Sequence, residues 1–243
     1  MHAHDTNLTI KGPEQQEIAD ELAIIQRLLP LQDARILELG CGAAEKTRQI
    51  AQRTGVGSIV AAEVDQIQHA KNLQIDDLPD VTFASFGAEQ INAEDVSFDI
   101  VLMFKSLHHV PEELLAKALT EIWRVLKPGG LLYVSEPVFD GPFNEVIRLF
   151  HDEEHVRQAA FKALVDAVAS EQFELVDEVF FANIVTLTSF AQFEKGILNA
   201  TFMDHDLSAE VLGAVRSRFE TNRSDAGYVF KVPNRVDLLR KPA

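Results

Sequence analysis

The chain has 243 residues, 47% of them hydrophobic, which is enough to bury the core of one sizeable folded domain. Its formal net charge of −16 repels the phosphate backbone of nucleic acids and anionic membrane surfaces, so we expect neither as a partner. No apolar run approaches the roughly 20 residues that a membrane-spanning helix needs.

The N-terminal segment, MHAHDTNLTIKGPEQQ, lacks the basic start and the apolar stretch of a secretory signal. The single cysteine, Cys41, allows no internal disulfide and suits a reducing compartment. We therefore expect a cytoplasmic protein. Residues 13–29 predict a helix that either covers a ligand site or only packs on a sheet, because its apolar residues form one stripe: Ile18, Leu22, Ile25 and Leu29.

The most informative stretch is residues 36–47, ILELGCGAAEKT, which predicts a strand, a tight glycine turn and a helix. Gly40 and Gly42 permit backbone angles closed to other residues and let a ligand approach the main chain. Glu38, near the end of the strand, can accept hydrogen bonds from a cationic amine. The GxG spacing lacks the third glycine of a dinucleotide site and the lysine of a phosphate loop. On these residues alone, a purely structural turn is an equal alternative.

A second apolar run, residues 58–62, ends before Glu63, Val64 and Asp65. Glu63 lies about 20 residues past the turn, where an acid binds the ribose hydroxyls in nucleotide-binding α/β folds. Asp65 is the competing candidate, and its structural alternative is the N-cap of a helix over residues 66–74.

Further strands alternate with helices, which is the pattern of a parallel α/β sheet. Residues 81–83 predict a third strand and residues 97–104 a buried fourth one. A helix over residues 111–126 follows, because Pro111 suits a first turn and Lys127-Pro128-Gly129-Gly130 ends the helix. Residues 131–136 predict a fifth strand.

Six short segments follow one another in register over residues 34–137: ELGCG at 38–42, AEVD at 62–65, GAE at 87–89, SFDIV at 97–101, LHHV at 107–110 and RVLKPGG at 124–130. In their order and spacing they resemble the class I methyltransferases that use S-adenosyl-L-methionine, in particular small-molecule enzymes of the ubiquinone-biosynthesis type. The resemblance implies a Rossmann-like, seven-stranded, mostly parallel sheet with helices on both faces, and a cofactor over the carboxyl ends of the first strands.

By this resemblance Glu38 holds the methionine amino group, Glu63 binds the ribose hydroxyls, and the Ala88 N–H faces the adenine. Cys41 is assigned a role through its small size, not through thiol chemistry. The full set of expected cofactor-binding residues is Glu38, Gly40, Cys41, Gly42, Glu63, Val64, Gly87, Ala88 and Phe104.

Two positions depart from the family pattern. Ala44 stands where the third glycine of the first loop is usual, which a residue already inside the helix tolerates. Gly87 replaces the adenine-side aspartate and removes an acceptor for the adenine amino group. Glu89 or a backbone carbonyl can compensate for that loss.

The segment after the fifth strand is expected to select the substrate. Residues 143–170 predict one long helix, residues 174–183 a strand, and residues 227–240 the last strand. Helical patterns at 189–199 and 207–220 form an insertion where the simple fold has a hairpin, so we expect a helical lid. The predicted single methyltransferase domain comprises an arm and helix (1–30), a cofactor core (31–137), a substrate-side helix and strand (138–185), the lid (186–225) and the last strand (226–243).

Polar side chains in this region predict binding of a polar or zwitterionic substrate by Glu136, Arg148, His151 and His155. His151 and His155 are four residues apart on one face of the predicted helix, a spacing that can bind a metal as in HExxH. Asp152 stands in place of the glutamate of that motif and no third ligand follows, so we expect no metal. The favoured alternative for these side chains is a solvated, charged helix face.

The sulfonium carries its own leaving group, so catalysis mainly requires alignment of an attacking lone pair with the methyl carbon. A base is needed if the nucleophile arrives protonated, and His108 is the candidate. The sequence thus predicts a methyltransferase acting on a small polar metabolite. The alternatives are another group transfer on the same cofactor frame and a non-catalytic S-adenosylmethionine-binding protein, whereas the glycine spacing disfavours a dinucleotide dehydrogenase.

Overall fold

The computed structural model describes residues 8–198 and 207–243. Residues 1–7 of the expected N-terminal arm and residues 199–206 of the expected lid lie outside the described residues. Among the described residues, no helix is both long enough and apolar enough to span a membrane.

One mixed sheet forms the centre of the molecule, with strand order β1-β7-β9-β6-β5-β2-β3-β4, and β8 pairs with β9. β9 runs antiparallel to β6 and β7, whereas the pairs β1–β7, β2–β3, β2–β5, β3–β4 and β5–β6 are parallel. The strands are β1 Glu17–Ile18, β2 Arg35–Leu39, β3 Ser58–Ala62, β4 Val81–Ala84, β5 Phe98–Phe104, β6 Leu126–Pro137, β7 Glu174–Leu187, β8 Arg223–Ser224 and β9 Gly227–Arg240.

The predicted Rossmann-like, mostly parallel sheet is confirmed. The described sheet has nine strands, not seven, because β1 and β8 add two residues each at its margins. Two-residue strands have no periodicity that a sequence could reveal.

Helices cover both faces of the sheet. α4 and α6 contribute to the hydrophobic cluster on one face, and α1 and α2 contribute to the cluster on the other. The helices are α1 Glu21–Leu28, α2 Glu45–Arg53, α3 Gln66–Asn72, α4 Leu115–Val125, α5 Gly141–Ile147, α6 Glu154–Ala169, α7 Phe190–Phe193 and α8 Ala209–Glu220, with 3-10 helices at Leu107–His109 and Glu112–Leu114 and a π-helix at Glu194–Leu198.

The predicted N-terminal helix over residues 13–29 is wrong in its first half. Residues 17 and 18 form β1, and α1 begins only at Glu21. The Asp20 carboxylate accepts the Leu22 N–H at 2.8 Å and caps the helix there. Ile18 is 65% exposed, so it does not belong to the buried stripe that the sequence suggested.

The single predicted helix over residues 143–170 is also wrong, because it divides into α5 and α6. The Asp152 carboxylate accepts the Glu154 N–H at 3.0 Å, a local bond that competes with helix continuation. Residues 148–153 therefore form a connection outside both helices.

The insertion between β7 and β9 consists of α7, the π-helix, α8 and β8 in its described part. Its apolar residues form a separate cluster that also includes Val146 of α5. Aromatic side chains dominate this cluster: Phe190, Phe193, Phe219, Tyr228 and Phe230. The insertion is thus attached to β9 and α5 by its own small core.

Candidate active site

The glycine turn after β2 uses its two glycines for different purposes. Gly40 has φ +75°, and a Cβ there would lie 2.6 Å from Cβ of Ser106 in the loop after β5. Gly42 has φ +52°, but no atom of the described residues lies within 4 Å of where its Cβ would stand. Gly40 therefore permits close packing, whereas Gly42 exposes backbone to open space that a ligand can enter.

Two buried carboxylates are present near this turn. Glu38 is 1% exposed, and the Thr47 hydroxyl donates to it at 2.6 Å. Burial raises the pKa of Glu38 to about 7, and the nearby charge of Glu21 adds to that shift. Glu21 is 4% exposed, and its Oε1 has no hydrogen-bond partner in the part of the chain that the structure describes. This arrangement suits a cationic ammonium group, which would neutralise the charge and satisfy the unpartnered oxygen.

Glu63, directly after β3, joins the glycine turn to the end of its own strand. Its carboxylate accepts the Gly42 N–H at 2.8 Å and the Asp65 N–H at 2.9 Å. Asp65 caps α3 by accepting the N–H groups of Ile67 and Gln68 at 2.8 and 3.3 Å. The N-cap prediction for Asp65 is confirmed, and Val64 between the two acids is 60% exposed.

The turn after β4 places Glu89 close to Gly87. A Cβ at position 87 would collide with the Glu89 carboxylate, so that carboxylate occupies the space of the missing aspartate side chain. Ala88 is buried beside it. At the end of β5, Phe104 is half-buried, and its ring centroid lies 5.7 Å from that of Tyr133.

His108 is held in a buried polar cluster between the ends of β5 and β6. Its Nδ1 hydrogen-bonds with Glu136 Oε2, and Glu136 Oε1 accepts the Leu107 N–H at 2.9 Å. The opposite ring nitrogen, Nε2, lies 3.5 Å from Glu153 Oε1. His108 and Glu136 are 5% and 4% exposed. Both predicted residues are therefore brought together, with Glu153 as a third member.

Glu153 is the residue that sequence reasoning missed. Its carboxylate lies 2.8 Å from His151 Nε2 and accepts from Arg157 Nη2 at 2.6 Å. Burial opposes ionisation, but hydrogen bonds from His108 and Arg157 hold the pKa of Glu153 well below its usual range. Glu153 lies inside the polar run HDEEH at 151–155, which is the sequence signal that could have identified it.

The same cluster bears on the predicted base. Burial disfavours a charged imidazole, but the Glu136 and Glu153 carboxylates outweigh it and raise the pKa of His108 to about 9. An imidazole that retains its proton at neutral pH is a poor general base. The environment of His108 thus favours a positioning role over proton abstraction.

The other predicted substrate residues lie further out. The Arg148 guanidinium stacks over the Phe139 ring at 4.8 Å and lies 3.4 Å from both Asp152 and Glu154. The His155 side chain is 79% exposed, and its Nε2 lies 2.8 Å from Glu112. His151 precedes α6, so the expected common helix face for His151 and His155 is wrong.

Comparison with known proteins identifies the family of this chain. A protein-family model for a methyltransferase domain matches residues 36–130. An uncharacterized methyltransferase of Mycobacterium bovis is 31% identical over 176 residues, which cover 61% of this chain and 69% of that protein. The chain belongs to the class I S-adenosylmethionine-dependent methyltransferase family.

Other relatives share shorter regions with this methyltransferase. The trans-aconitate 2-methyltransferase of Deinococcus radiodurans is 29% identical over 114 residues, covering 46% of this chain and 42% of that enzyme. The chain spans 42%, 29% and 58% of the length of three curated relatives that it matches. A solved structure from Bacillus halodurans, described as a proposed methyltransferase, superposes with a TM-score of 0.65 at 18% identity, covering 92% of this chain and 99% of that chain. At such identity the likeness shows the fold alone.

The cofactor of this family is S-adenosyl-L-methionine, which supplies an electrophilic methyl group on its sulfonium. The residues around the glycine turn fit it in two respects. The unpartnered Glu21 oxygen and the buried Glu38 carboxylate suit its ammonium group, and the open side of Gly42 admits it to the backbone. Glu63 lies beside that opening, where its carboxylate accepts the Gly42 N–H.

Because Glu38 titrates near neutral pH, cofactor affinity should depend on pH. The ionised carboxylate binds an ammonium group and the protonated one does not, so affinity falls as the pH drops below the pKa of about 7. One unit below that pKa, about one carboxylate in eleven is ionised, which predicts roughly tenfold weaker binding. Calorimetric titrations between about pH 6 and pH 8 measure this change. In Glu38→Gln the affinity should be lower and nearly independent of pH; an unchanged slope would contradict the role of Glu38.

Proposed function

We propose that the chain transfers a methyl group from S-adenosyl-L-methionine to a small polar metabolite. The observation that carries this proposal is the buried cluster of Glu136, His108 and Glu153 at the ends of β5 and β6. Ser106, two residues before His108, packs on Gly40, so the cluster lies next to the glycine turn. An acceptor held by this cluster would approach the methyl group from the side of the 148–153 connection.

The space beside the cluster is small and charged. A cavity of about 80 Å³ adjoins Glu136 and is lined by Lys11, Arg157 and Arg235 as well as by Glu154. A cavity of this size admits one small polar group and excludes a polymer, whereas pockets for whole ligands measure about 300–1,000 Å³. The name of the Deinococcus radiodurans relative, a trans-aconitate methyltransferase, agrees with a small acid as acceptor. The net charge of −16 disfavours nucleic acids.

The roles of the remaining residues follow from their positions. Gly40, Cys41 and Gly42 would line the methionine part, Glu63 and Val64 the ribose, and Gly87 and Ala88 the adenine edge, with Phe104 closing over the cofactor. Glu89 would replace the missing aspartate, since its carboxylate lies at position 87. The insertion after β7 would act as the lid over the acceptor.

A second candidate function rests on Gly87 itself, because adenine recognition there depends wholly on Glu89. That function is cofactor binding without turnover, or use of the cofactor for another group transfer. Incubation of the purified protein with S-adenosylmethionine labelled on its methyl group and a metabolite extract separates these candidates. The proposal predicts label in the small-molecule fraction and none in added RNA or DNA. Labelled nucleic acid, or cofactor binding without any transfer, would contradict it.

The outer side chains should affect the acceptor and not the cofactor. We expect Arg148→Ala and His151→Ala each to raise the KM for the acceptor about tenfold, since a charge-assisted hydrogen bond contributes about 1.5 kcal/mol. The affinity for the cofactor should stay within about twofold of the wild-type value, because both residues lie outside the cofactor site. Lys162→Ala on the exposed face of α6 is the control. If the KM for the acceptor in all three variants equals that of the wild type, Arg148 and His151 do not belong to the acceptor site.

A further inference from the structure

Two histidines and a glutamate converge beside the proposed acceptor site. One ligand atom from each of His108, His109 and Glu153 lies within 4.8 Å of the other two. His108 and His109 come from the 3-10 helix after β5, and Glu153 comes from the connection before α6. Because Glu153 meets the two consecutive histidines only through the fold, the spacing of His151 and His155 does not reveal this cluster.

We propose that His108, His109 and Glu153 bind a divalent transition-metal ion of the zinc type. Imidazole nitrogens with one carboxylate are a usual protein ligand set for such ions, and three protein ligands leave a position open for substrate. A catalytic use of this ion rests on the methyl transfer proposed above. Binding of the ion itself does not depend on that function.

The distances require only a modest contraction of the cluster. Zinc bonds to nitrogen and oxygen are about 2.0–2.2 Å long, so ligand atoms around one ion lie roughly 3.2–3.6 Å apart. His108 Nε2 and Glu153 Oε1 are already 3.5 Å apart. His109, whose ring centroid lies 4.1 Å from that of His108, is the residue that must turn inward. The His109 side chain is exposed, so its ring can rotate toward the other two ligands.

The surroundings of His108 are those of a metal ligand. Its Nδ1 is bonded to Glu136, which fixes the ring so that Nε2 points to Glu153. A carboxylate on the far nitrogen of a ligating histidine orients the ring and raises its basicity. Glu136 is itself fixed by the Leu107 N–H at 2.9 Å. Metal binding would displace the proton that Nε2 otherwise shares with Glu153.

The charges around the site also bear on a bound cation. Glu153 and Glu136 supply two negative charges close to His108, against one positive charge on Arg157. Arg157 bonds Oε2 of Glu153 at 2.6 Å and leaves Oε1 directed at the cluster. His151 Nε2 lies 2.8 Å from that Oε1, so it stands next to the ion as a neighbouring donor.

The open position would receive the acceptor atom. A hydroxyl or thiol group bound there would lose its proton to bulk water, since a divalent ion lowers the pKa of its ligands. Its lone pair would then form the new bond to the methyl carbon while the carbon–sulfur bond of the donor breaks and its electron pair stays on sulfur. This arrangement would remove the need for a general base.

Cobalt(II) titration of the chelator-treated full chain, without an affinity tag, tests the site independently of turnover. The wild type should bind one equivalent, develop visible absorption bands of a nitrogen- and oxygen-ligated ion, and lose them when zinc is added. His109→Gln and Glu153→Gln should each weaken binding by at least about tenfold, as loss of a ligand does. Glu113→Gln, an exposed carboxylate on the next 3-10 helix, should bind as the wild type.

Circular dichroism establishes that each variant is folded, and the exposed His109 keeps the test valid if Glu153→Gln does not fold. Absence of stoichiometric cobalt binding by the wild type would overturn the metal site. Equal losses in Glu113→Gln would do so as well. Methyl transfer from S-adenosylmethionine by a protein that binds no cobalt would refute the metal site alone. Cobalt binding without methyl transfer would support the metal site and refute the proposed function.

Discussion

Replacement of Glu63 by alanine is expected to weaken S-adenosylmethionine binding by roughly ten- to a hundredfold. Glu63 is 8% exposed, and its carboxylate lies against the Gly42 N–H at the open side of the glycine turn. Loss of a buried, charged acceptor for hydroxyl groups costs about 1.5–3 kcal/mol, which corresponds to that range of affinity. Calorimetric titration of folded protein with the cofactor measures the change.

The neighbouring acid provides the matched control. Asp65 caps α3, and Asp65→Ser retains a side-chain oxygen that can accept the same N–H groups. Its cofactor affinity should therefore equal that of the wild type. If Asp65→Ser binds weakly while Glu63→Ala binds normally, the ribose acceptor has been assigned to the wrong residue.

Phe219→Ala is expected to lower the free energy of unfolding by about 3–5 kcal/mol, the usual cost of removing a fully buried phenylalanine. Phe219 is 0% exposed and lies at the centre of the aromatic cluster of the insertion. Its ring centroid is 4.3 Å from that of Tyr228 and 5.0 Å from that of Phe193. Deletion of this ring leaves a cavity bordered by several others. Urea denaturation measures the difference.

Ser217→Ala on the exposed side of the same helix controls for changes in α8 itself. Its stability should stay within about 0.5 kcal/mol of the wild type. If Phe219→Ala were equally mild, the insertion would not depend on this cluster, and its expected attachment to β9 and α5 would be wrong.

The cofactor half of the fold could be predicted because its information is local. Strands β2, β3 and β5 are each one apolar run, and Gly40 and Glu63 lie at a fixed spacing along the chain. Strands that alternate with helices predict a parallel sheet. The last strand, predicted at residues 227–240, has those bounds in the structure. Its antiparallel position between β6 and β7 was not predicted.

The remainder depended on contacts that periodicity does not reveal. The stripe of Ile18 and Leu22 suggested a continuous helix, but the Asp20 cap and the pairing of β1 with β7 override it. The break between α5 and α6 is accompanied by a local side-chain bond at Asp152, which a helical periodicity does not reveal. That break in turn places Glu153 opposite His108, 45 positions away in the sequence, so no local pattern could have paired them.

The most direct test of the account is a crystal structure of the chain with S-adenosylhomocysteine, the demethylated form of the cofactor. The account predicts the amino group near Glu38 and Glu21, the ribose at Glu63, the adenine beside Ala88 and Glu89, and the sulfur facing the cluster around His108. A ligand in the separate cavity of about 550 Å³ lined by residues such as Ser189, Arg216 and Tyr228 would contradict it. So would a soaked crystal in which the glycine turn binds nothing.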